Sequence, residues 1–248
     1  MIEFLGAAKR FGPKVAVQPL DLLIPRGEFF AFLGPNGAGK TTTLKMAAGL
    51  LSPSEGRVLI GGVDIVADPI GAKQLLAYVP DQPFLYDKLS GREFLKFVSG
   101  LYRMEPVLAR SETLRMIELF EMQEWIDELT ETYSHGMKQR VALAGTLLHR
   151  PQVILLDEPL VGLDPQTSRL VKRILREEAS RGTTIFMSTH VLSVAEQTAD
   201  RIGILHLGRI VALGTLDELR ARAGPAENLE EIFFRILEEQ PAPPKAVP

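Results

Sequence analysis

One octapeptide restricts the fold of this chain more than any other feature. Gly34-Pro-Asn-Gly-Ala-Gly-Lys-Thr41 fits the pattern G-x-x-x-x-G-K-[ST]. The run Glu28-Phe-Phe-Ala-Phe-Leu33 before it is almost wholly apolar and is bounded by Gly27 and Gly34, so it reads as a strand buried on both faces. A helix is predicted from Lys40 to about Leu50. A buried strand that turns through glycines into a helix holds phosphate. Gly34, Gly37 and Gly39 let the backbone curl until several N–H groups point inward at an anion. Lys40 places a cation near the β- and γ-phosphates, and the Thr41 hydroxyl is a ligand for Mg²⁺. The helix that starts near Lys40 adds its positive dipole end. Pro35, Asn36, Ala38 and Thr42 complete the predicted phosphate contact.

The rest of the chain supplies the setting such a loop requires. The first 33 residues read as β, with Val15, Val17, Leu20, Leu22 and Ile24 separated by polar neighbours. Arg57–Ile60, Leu76–Val79, Val153–Leu156, Thr183–Met187 and Arg201–Leu205 are further short strands. A helix begins at Pro165 with Asp164 as its N-cap, and Leu170, Val171, Ile174 and Leu175 form its buried stripe. Between about Tyr86 and Arg150 the texture is helical: Phe94, Phe97, Val98 and Leu101 recur at helical spacing, as do Leu114, Ile117 and Phe120. A short helix follows Gly214, a polar helix spans Asn228 to Glu239, and the proline-rich tail 241–248 is expected to be disordered. The fold class is therefore α/β: a P-loop NTPase core with a mainly parallel sheet flanked by helices, an N-terminal antiparallel β part and an inserted all-helical lobe. Residues 1–85 and 151–220 form the core, 86–150 the lobe, and 221–248 a C-terminal helix and tail.

Composition narrows the setting. With 46% hydrophobic residues over 248 positions, the chain can bury a sizeable core. Its 28 basic and 31 acidic residues give a net charge of −3, so no basic excess points to a nucleic acid. It has no cysteine, which excludes disulfides and suits a reducing compartment. MIEFLGAAKR lacks the basic start and apolar run of a signal peptide. No stretch of about 18 apolar residues is present, so any membrane partner is expected on another chain. The two asparagines, Asn36 and Asn228, and the 17 prolines fit a heat-adapted source and a GC-rich genome equally well.

Two further segments carry chemistry. Val153-Ile-Leu-Leu-Asp157-Glu158-Pro is an apolar strand ending in two carboxylates. Acids beside a core strand are costly to bury without a task. Asp157 can reach a Mg²⁺ shell, and Glu158 beside it can polarise an attacking water. Upstream, Tyr133-Ser-His-Gly-Met-Lys-Gln-Arg140 precedes an amphipathic helix carrying Val141, Ala144, Leu147 and Leu148. This octapeptide resembles the signature of the ABC ATPase family, usually LSGGQ, with Ser134 and Gly136 in the serine and second glycine places. Tyr133 stands for the leucine, His135 for the first glycine and Met137 for the glutamine. Gly162-Leu-Asp-Pro165 resembles the D-loop and Ser188-Thr-His190 the switch histidine. Phe11, in Lys-Arg-Phe-Gly, stands where the family stacks an aromatic ring on adenine. Tyr78-Val-Pro80 resembles the triplet before the Q-loop glutamine, but Asp81 follows it and Gln82 comes one residue later. Either could serve as the Mg²⁺ or water ligand, with Asp81 preferred by position.

The resemblance covers about residues 2–220 and implies an ATPase using ATP and Mg²⁺. Two such domains meet head to tail in this family, so Ser134, His135, Gly136, Met137 and Asp164 would meet ATP on a second domain, a copy of this chain or a sister subunit. A transmembrane permease subunit is the implied partner, and the inner face of the cell membrane the implied place. Pro83–Leu89 should then face that partner, with Phe84, Leu85 and Tyr86 lining a groove. The wording around Asp81, and Leu89-Ser-Gly-Arg-Glu-Phe after it, resembles exporters of drugs, lipids or polysaccharides. Two alternatives compete with the transport motor. A soluble family member acting on ribosomes or DNA is one, although ribosome-acting members carry two cassettes and DNA-repair members a long coiled coil. The other is a non-catalytic regulatory subunit, against which Glu158 and His190 argue.

Overall fold

A computed structural model describes residues 1–223 and 228–238. Two sheets organise it. Strands β1 (Ile2–Phe11), β2 (Lys14–Ile24), β4 (Glu55–Ile60) and β5 (Val63–Asp64) form a four-stranded antiparallel sheet in the order β2-β1-β4-β5. A six-stranded sheet contains β3 (Phe29–Leu33), β6 (Leu76–Val79), β7 (Val153–Asp157), β8 (Thr184–Thr189), β9 (Arg201–His206) and β10 (Arg209–Gly214), in the order β10-β9-β3-β8-β7-β6. All its pairings are parallel except β10 with β9, so the mainly parallel sheet and the antiparallel N-terminal part are both observed.

The apolar runs of β3, β7 and β8 are explained by their place between two cores. Phe29, Ala31, Leu33, Ile154, Leu156, Ile185 and Met187 pack into one cluster, while Phe30, Phe32, Val153, Leu155 and Phe186 pack into the other. Side chains alternate across a strand, so a strand covered on both sides must be apolar at every position. Helix α1 (Lys40–Ala47) covers the second face together with the antiparallel sheet. The first face is covered by α3 (Gly91–Leu101), α4 (Pro106–Leu119), α5 (His135–Leu147), α6 (Pro165–Ser180) and α7 (Leu192–Thr198), preceded in sequence by α2 (Pro69–Leu75) on the other face. Helices α8 (Leu216–Ala223) and α9 (Leu229–Glu238) complete the described chain.

Several local expectations are corrected. Helix α1 ends at Ala47 rather than near Leu50, because Gly49 takes a left-handed φ of 64° and the Leu50 N–H turns back to the Lys45 carbonyl. The helical spacing at Phe94–Leu101 is observed as α3, on which Gly91, Leu95 and Ser99 are buried while Phe97 and Leu101 are exposed. On α4 Met116 and Ile117 are buried and Leu114 is exposed. Of the three residues assigned to a groove, Phe84 and Tyr86 are exposed but Leu85 is buried in the core. Helix α9 is not simply polar: Leu229, Ile232, Phe233 and Ile236 are buried against the first core. Helices α2 and α7 and strands β5 and β10 went unread, being short and weakly periodic. The proline-rich tail 241–248 lies outside the described residues.

Just beyond α5, His149 stacks on Tyr102, with ring centroids 3.5 Å apart and planes 10° from parallel. Burial pushes its imidazole from 6.5 down to about 4, against a smaller upward pull from the Leu76 backbone. The unfolded chain therefore takes up a proton there before the folded chain does, and stability falls as pH drops from about 6.5 towards 4. His149→Gln should remove this part of the acid sensitivity. Urea midpoints measured at about pH 7 and about pH 5 should separate less in the variant than in the natural chain.

Candidate active site

Parallel strands deliver their carboxyl ends to one edge, and in open α/β sheets that edge holds ligands. Here β3, β6, β7 and β8 run parallel, and each is followed by a motif singled out in the sequence: Gly34–Thr41, Pro80-Asp81, Asp157-Glu158 and Thr189-His190. The topology alone therefore gathers residues up to 156 positions apart in sequence, from Gly34 to His190.

The loop after β3 is held by two different demands on glycine. Gly37 and Gly39 take φ of 80° and 111°, a region L side chains rarely enter. Gly34 is needed for space: a Cβ there would run into the Leu205 carbonyl of β9. Lys40 is only 6% exposed, and its ammonium donates to the Gly34 carbonyl at 2.7 Å and the Pro35 carbonyl at 3.3 Å. Burial lowers its pKa, while the nearby Glu158 and Asp157 carboxylates pull it back up. The cation is thus kept inside the loop mouth by two acids and two carbonyls.

Asp157 ends β7 almost fully buried. Its Oδ1 accepts from Thr41 Oγ1 at 3.1 Å and from Ser188 Oγ at 2.5 Å. Its Oδ2 is buried and has no partner among the described residues. An orphaned buried carboxylate oxygen beside a threonine hydroxyl calls for an explanation. Hard oxygen donors of this kind fit Mg²⁺, which makes Thr41 and Asp157 a chemically suitable pair for that ion. Ser188 was not read as part of this pair from sequence; the signal was a hydroxyl at the penultimate position of a core strand.

Glu158 carries a left-handed φ of 50°, which is uncommon for a residue with a side chain. Its N–H is held by the Ser188 carbonyl at 3.1 Å. One carboxylate oxygen lies 3.0 Å from His190 Nδ1 and 3.8 Å from Lys40 Nζ, and the other accepts the His190 N–H at 3.2 Å. Of these, Glu158 and Lys40 line a cleft of about 770 Å³ that Phe11 and Thr41 also line, while His190 reaches it only through Glu158. Phe11 is 47% exposed, with the Lys9 ammonium over its ring 5.3 Å from the centroid. Asp81 lines this cleft and Gln82 does not. The β9–β10 turn, Leu207-Gly208, and Val15-Ala16 of β2 also line it; nothing in their residue types announced them.

Ser134, His135, Gly136 and Met137 lie elsewhere. Ser134 caps α5, its hydroxyl accepting the Met137 N–H at 3.2 Å. Tyr133 before it is buried, and its hydroxyl accepts the Gly91 N–H at 3.1 Å and faces the Ile126 carbonyl at 3.1 Å, so the tyrosine braces the start of α3. Asp164 caps α6 as expected, with Oδ1 accepting from the Gln166 and Thr167 N–H groups and Oδ2 from the Thr167 hydroxyl. The hydrogen bonds of Thr167 hold its carboxyl below the usual range. None of these five residues lines the cleft, although the α5 N-terminus is itself a suitable anion site. Among the described residues, no helix is long and apolar enough to cross a membrane.

Residues 17–161 match the family described as ABC transporter. Over 96% of its length the chain is 35% identical to the probable multidrug ABC transporter ATP-binding protein YbhF of Escherichia coli, and it spans only 42% of that relative. A solved structure described as the ATP binding subunit of an ABC transporter superposes with a TM-score of 0.90 at 30% identity, covering 96% of this chain and 99% of the other. The dimeric post-hydrolysis structure of the ATP-binding cassette MJ0796 bound to ADP and Pi superposes with a TM-score of 0.79 at 27% identity, covering 87% and 99%.

The crowding at Gly34 has a measurable consequence. Gly34→Ala should destabilise the chain by about 1–3 kcal/mol, because β9 must yield to the added methyl. Chemical denaturation reads this directly, and an unchanged midpoint would mean that the Leu205 carbonyl is free to move away.

Proposed function

This chain belongs to the ABC transporter family, and from that premise we propose that it is an ATP-hydrolysing motor subunit working with a separate membrane permease. One observation carries the proposal: Glu158 is held at the cleft between Lys40 and His190, next in sequence to Asp157, whose Oδ2 has no partner among the described residues. A carboxylate fixed in that position is suited to a water molecule entering next to a phosphate.

In this reading the Gly34–Thr42 loop cradles the phosphates of ATP, and Phe11 offers its face to adenine. Lys40 exchanges its carbonyl partners for β- and γ-phosphate oxygens. Thr41 and Asp157, with Asp81 at the cleft wall, would hold a Mg²⁺, which would supply positive charge beside the phosphates. Glu158 orients a water and accepts its proton as the water oxygen attacks the γ-phosphorus. The bond from that phosphorus to the bridging oxygen of ADP breaks, giving ADP and phosphate. His190 holds the γ-phosphate from the side opposite Lys40. Phosphoryl transfer requires this kind of positioning and charge placement more than covalent help.

The placement of the signature outside the cleft supports a composite site. Ser134, His135, Gly136, Met137 and Asp164 would close on the nucleotide of a second ATPase domain, a copy or a sister chain; a related cassette is dimeric with ADP and Pi. The exposed rings of Phe84 and Tyr86, 5.5 Å apart, are suited to a permease segment. The division into a core of 1–85 and 151–220 with a lobe of 86–150 belongs to the same reading, as does a place on the inner face of the cell membrane. An exporter of drugs, lipids or polysaccharides is the transporter type favoured, in keeping with the multidrug description of the Escherichia coli relative.

Glu158→Gln keeps the shape and removes the base. Turnover should fall by about 10²–10⁴-fold while ATP affinity persists, and the ATP-bound dimer should accumulate. Turnover and scattering measured together in Mg-ATP test this, and natural turnover in the variant would remove Glu158 from the mechanism. At limiting Mg²⁺, Asp81→Ala should impair hydrolysis more than Gln82→Ala; the reverse order would move the ligand role to Gln82.

A further inference from the structure

We propose that His135 is a positioning residue: it ties the start of α5 to the loop that follows the chain's own catalytic carboxylate, so that signature and loop are set as one unit. The proposal rests on the function proposed above and deepens it.

The geometry is specific. Val161 O lies 3.2 Å from His135 Nε2, and because a carbonyl only accepts, that nitrogen carries the hydrogen. One helical turn further on, buried Gln139 donates to the Pro159 carbonyl at 3.0 Å. Residues four apart share a helix face, so α5 grips two alternate carbonyls of the same loop. Arg140 adds a third tie through the Thr167 hydroxyl at 2.8 Å, which in turn donates to Asp164 Oδ2 at 2.6 Å. A Cβ added at Gly162, whose φ is 75°, would lie 3.4 Å from the His135 ring.

This loop is in need of support. It runs from Glu158, which holds a φ of 50° although it carries a side chain, through Gly162 to the Asp164 cap. Backbone in sparsely populated regions persists only where its surroundings hold it. A glycine at position 135, the usual family residue, has no side chain to provide the middle tie. In this chain the imidazole does, and it joins the helix end that would face a partner's nucleotide to the backbone that carries Glu158. Loosening the tie should therefore disturb the hydrolytic step more than nucleotide binding.

The test uses the full chain with His135→Ala, which removes the donor without weakening the helix, and His135→Gln, which restores one. In hydrogen exchange without nucleotide, His135→Ala should speed exchange of residues 159–166 by about 2–10-fold, the worth of one hydrogen bond, and His135→Gln should bring it back towards the natural rate. In steady-state ATP turnover the Ala variant should lose about the same factor in kcat, again recovered by Gln. Natural exchange rates in His135→Ala overturn the proposal, as does a defect confined to KM. If the natural chain shows no turnover, the proposed function fails, and the exchange measurement still decides the tie.

Discussion

The carboxylate of Asp157 is where the sheet and the phosphate loop are joined. Its Oδ1 takes hydrogens from Thr41 at the start of α1 and from Ser188 on β8, so one buried oxygen links three elements. A charge buried at the end of an apolar strand is expensive unless hydrogen-bonded. Two hydroxyls and the nearby Lys40 meet that demand on one side, and the unpartnered Oδ2 leaves the other side suited to a cation. The parallel topology makes the arrangement attainable, because it brings the ends of β3, β7 and β8 to one edge.

Around this point the charges balance locally. Lys40 is desolvated, which lowers its pKa, and Glu158 and Asp157 offset part of that shift. Glu158 is in turn held by Lys40, by His190 through both ring and backbone, and by the Ser188 carbonyl at its own N–H. A left-handed residue that carries a side chain is the kind of strain that surrounding contacts must over-determine. The loop beyond it is gripped by α5, so this support extends from the sheet edge to the helix that carries Ser134.

The helices between β6 and β7 show what a periodic pattern leaves open. Helix α3 has apolar residues around more of its circumference than packing consumes. Leu95 turns into the core, while Phe97 and Leu101 join Phe84 and Tyr86 at the surface. Exposed aromatics in contact with one another suit the permease-facing role proposed above. Leu85, between two exposed rings, turns the other way and is buried in the core.

Much of the site was legible in the chain itself. The Gly34–Thr41 loop, the Asp157-Glu158 pair, the Asp164 cap and the strand before His190 are local patterns, written in residue type and spacing, and local backbone preference is enough to read them. The tertiary structure decided relations between distant segments. It chose Asp81 rather than Gln82 for the cleft, paired Ser188 with Asp157, and joined His135 to Val161. It also decided which side of α3 and α9 is buried, because burial depends on the neighbour a helix meets and not on its own periodicity. Residue order determines the local conformations and the chemical groups available; the parallel register of the sheet determines which of those groups come within hydrogen-bonding distance, since only packing brings strands remote in sequence to a common edge.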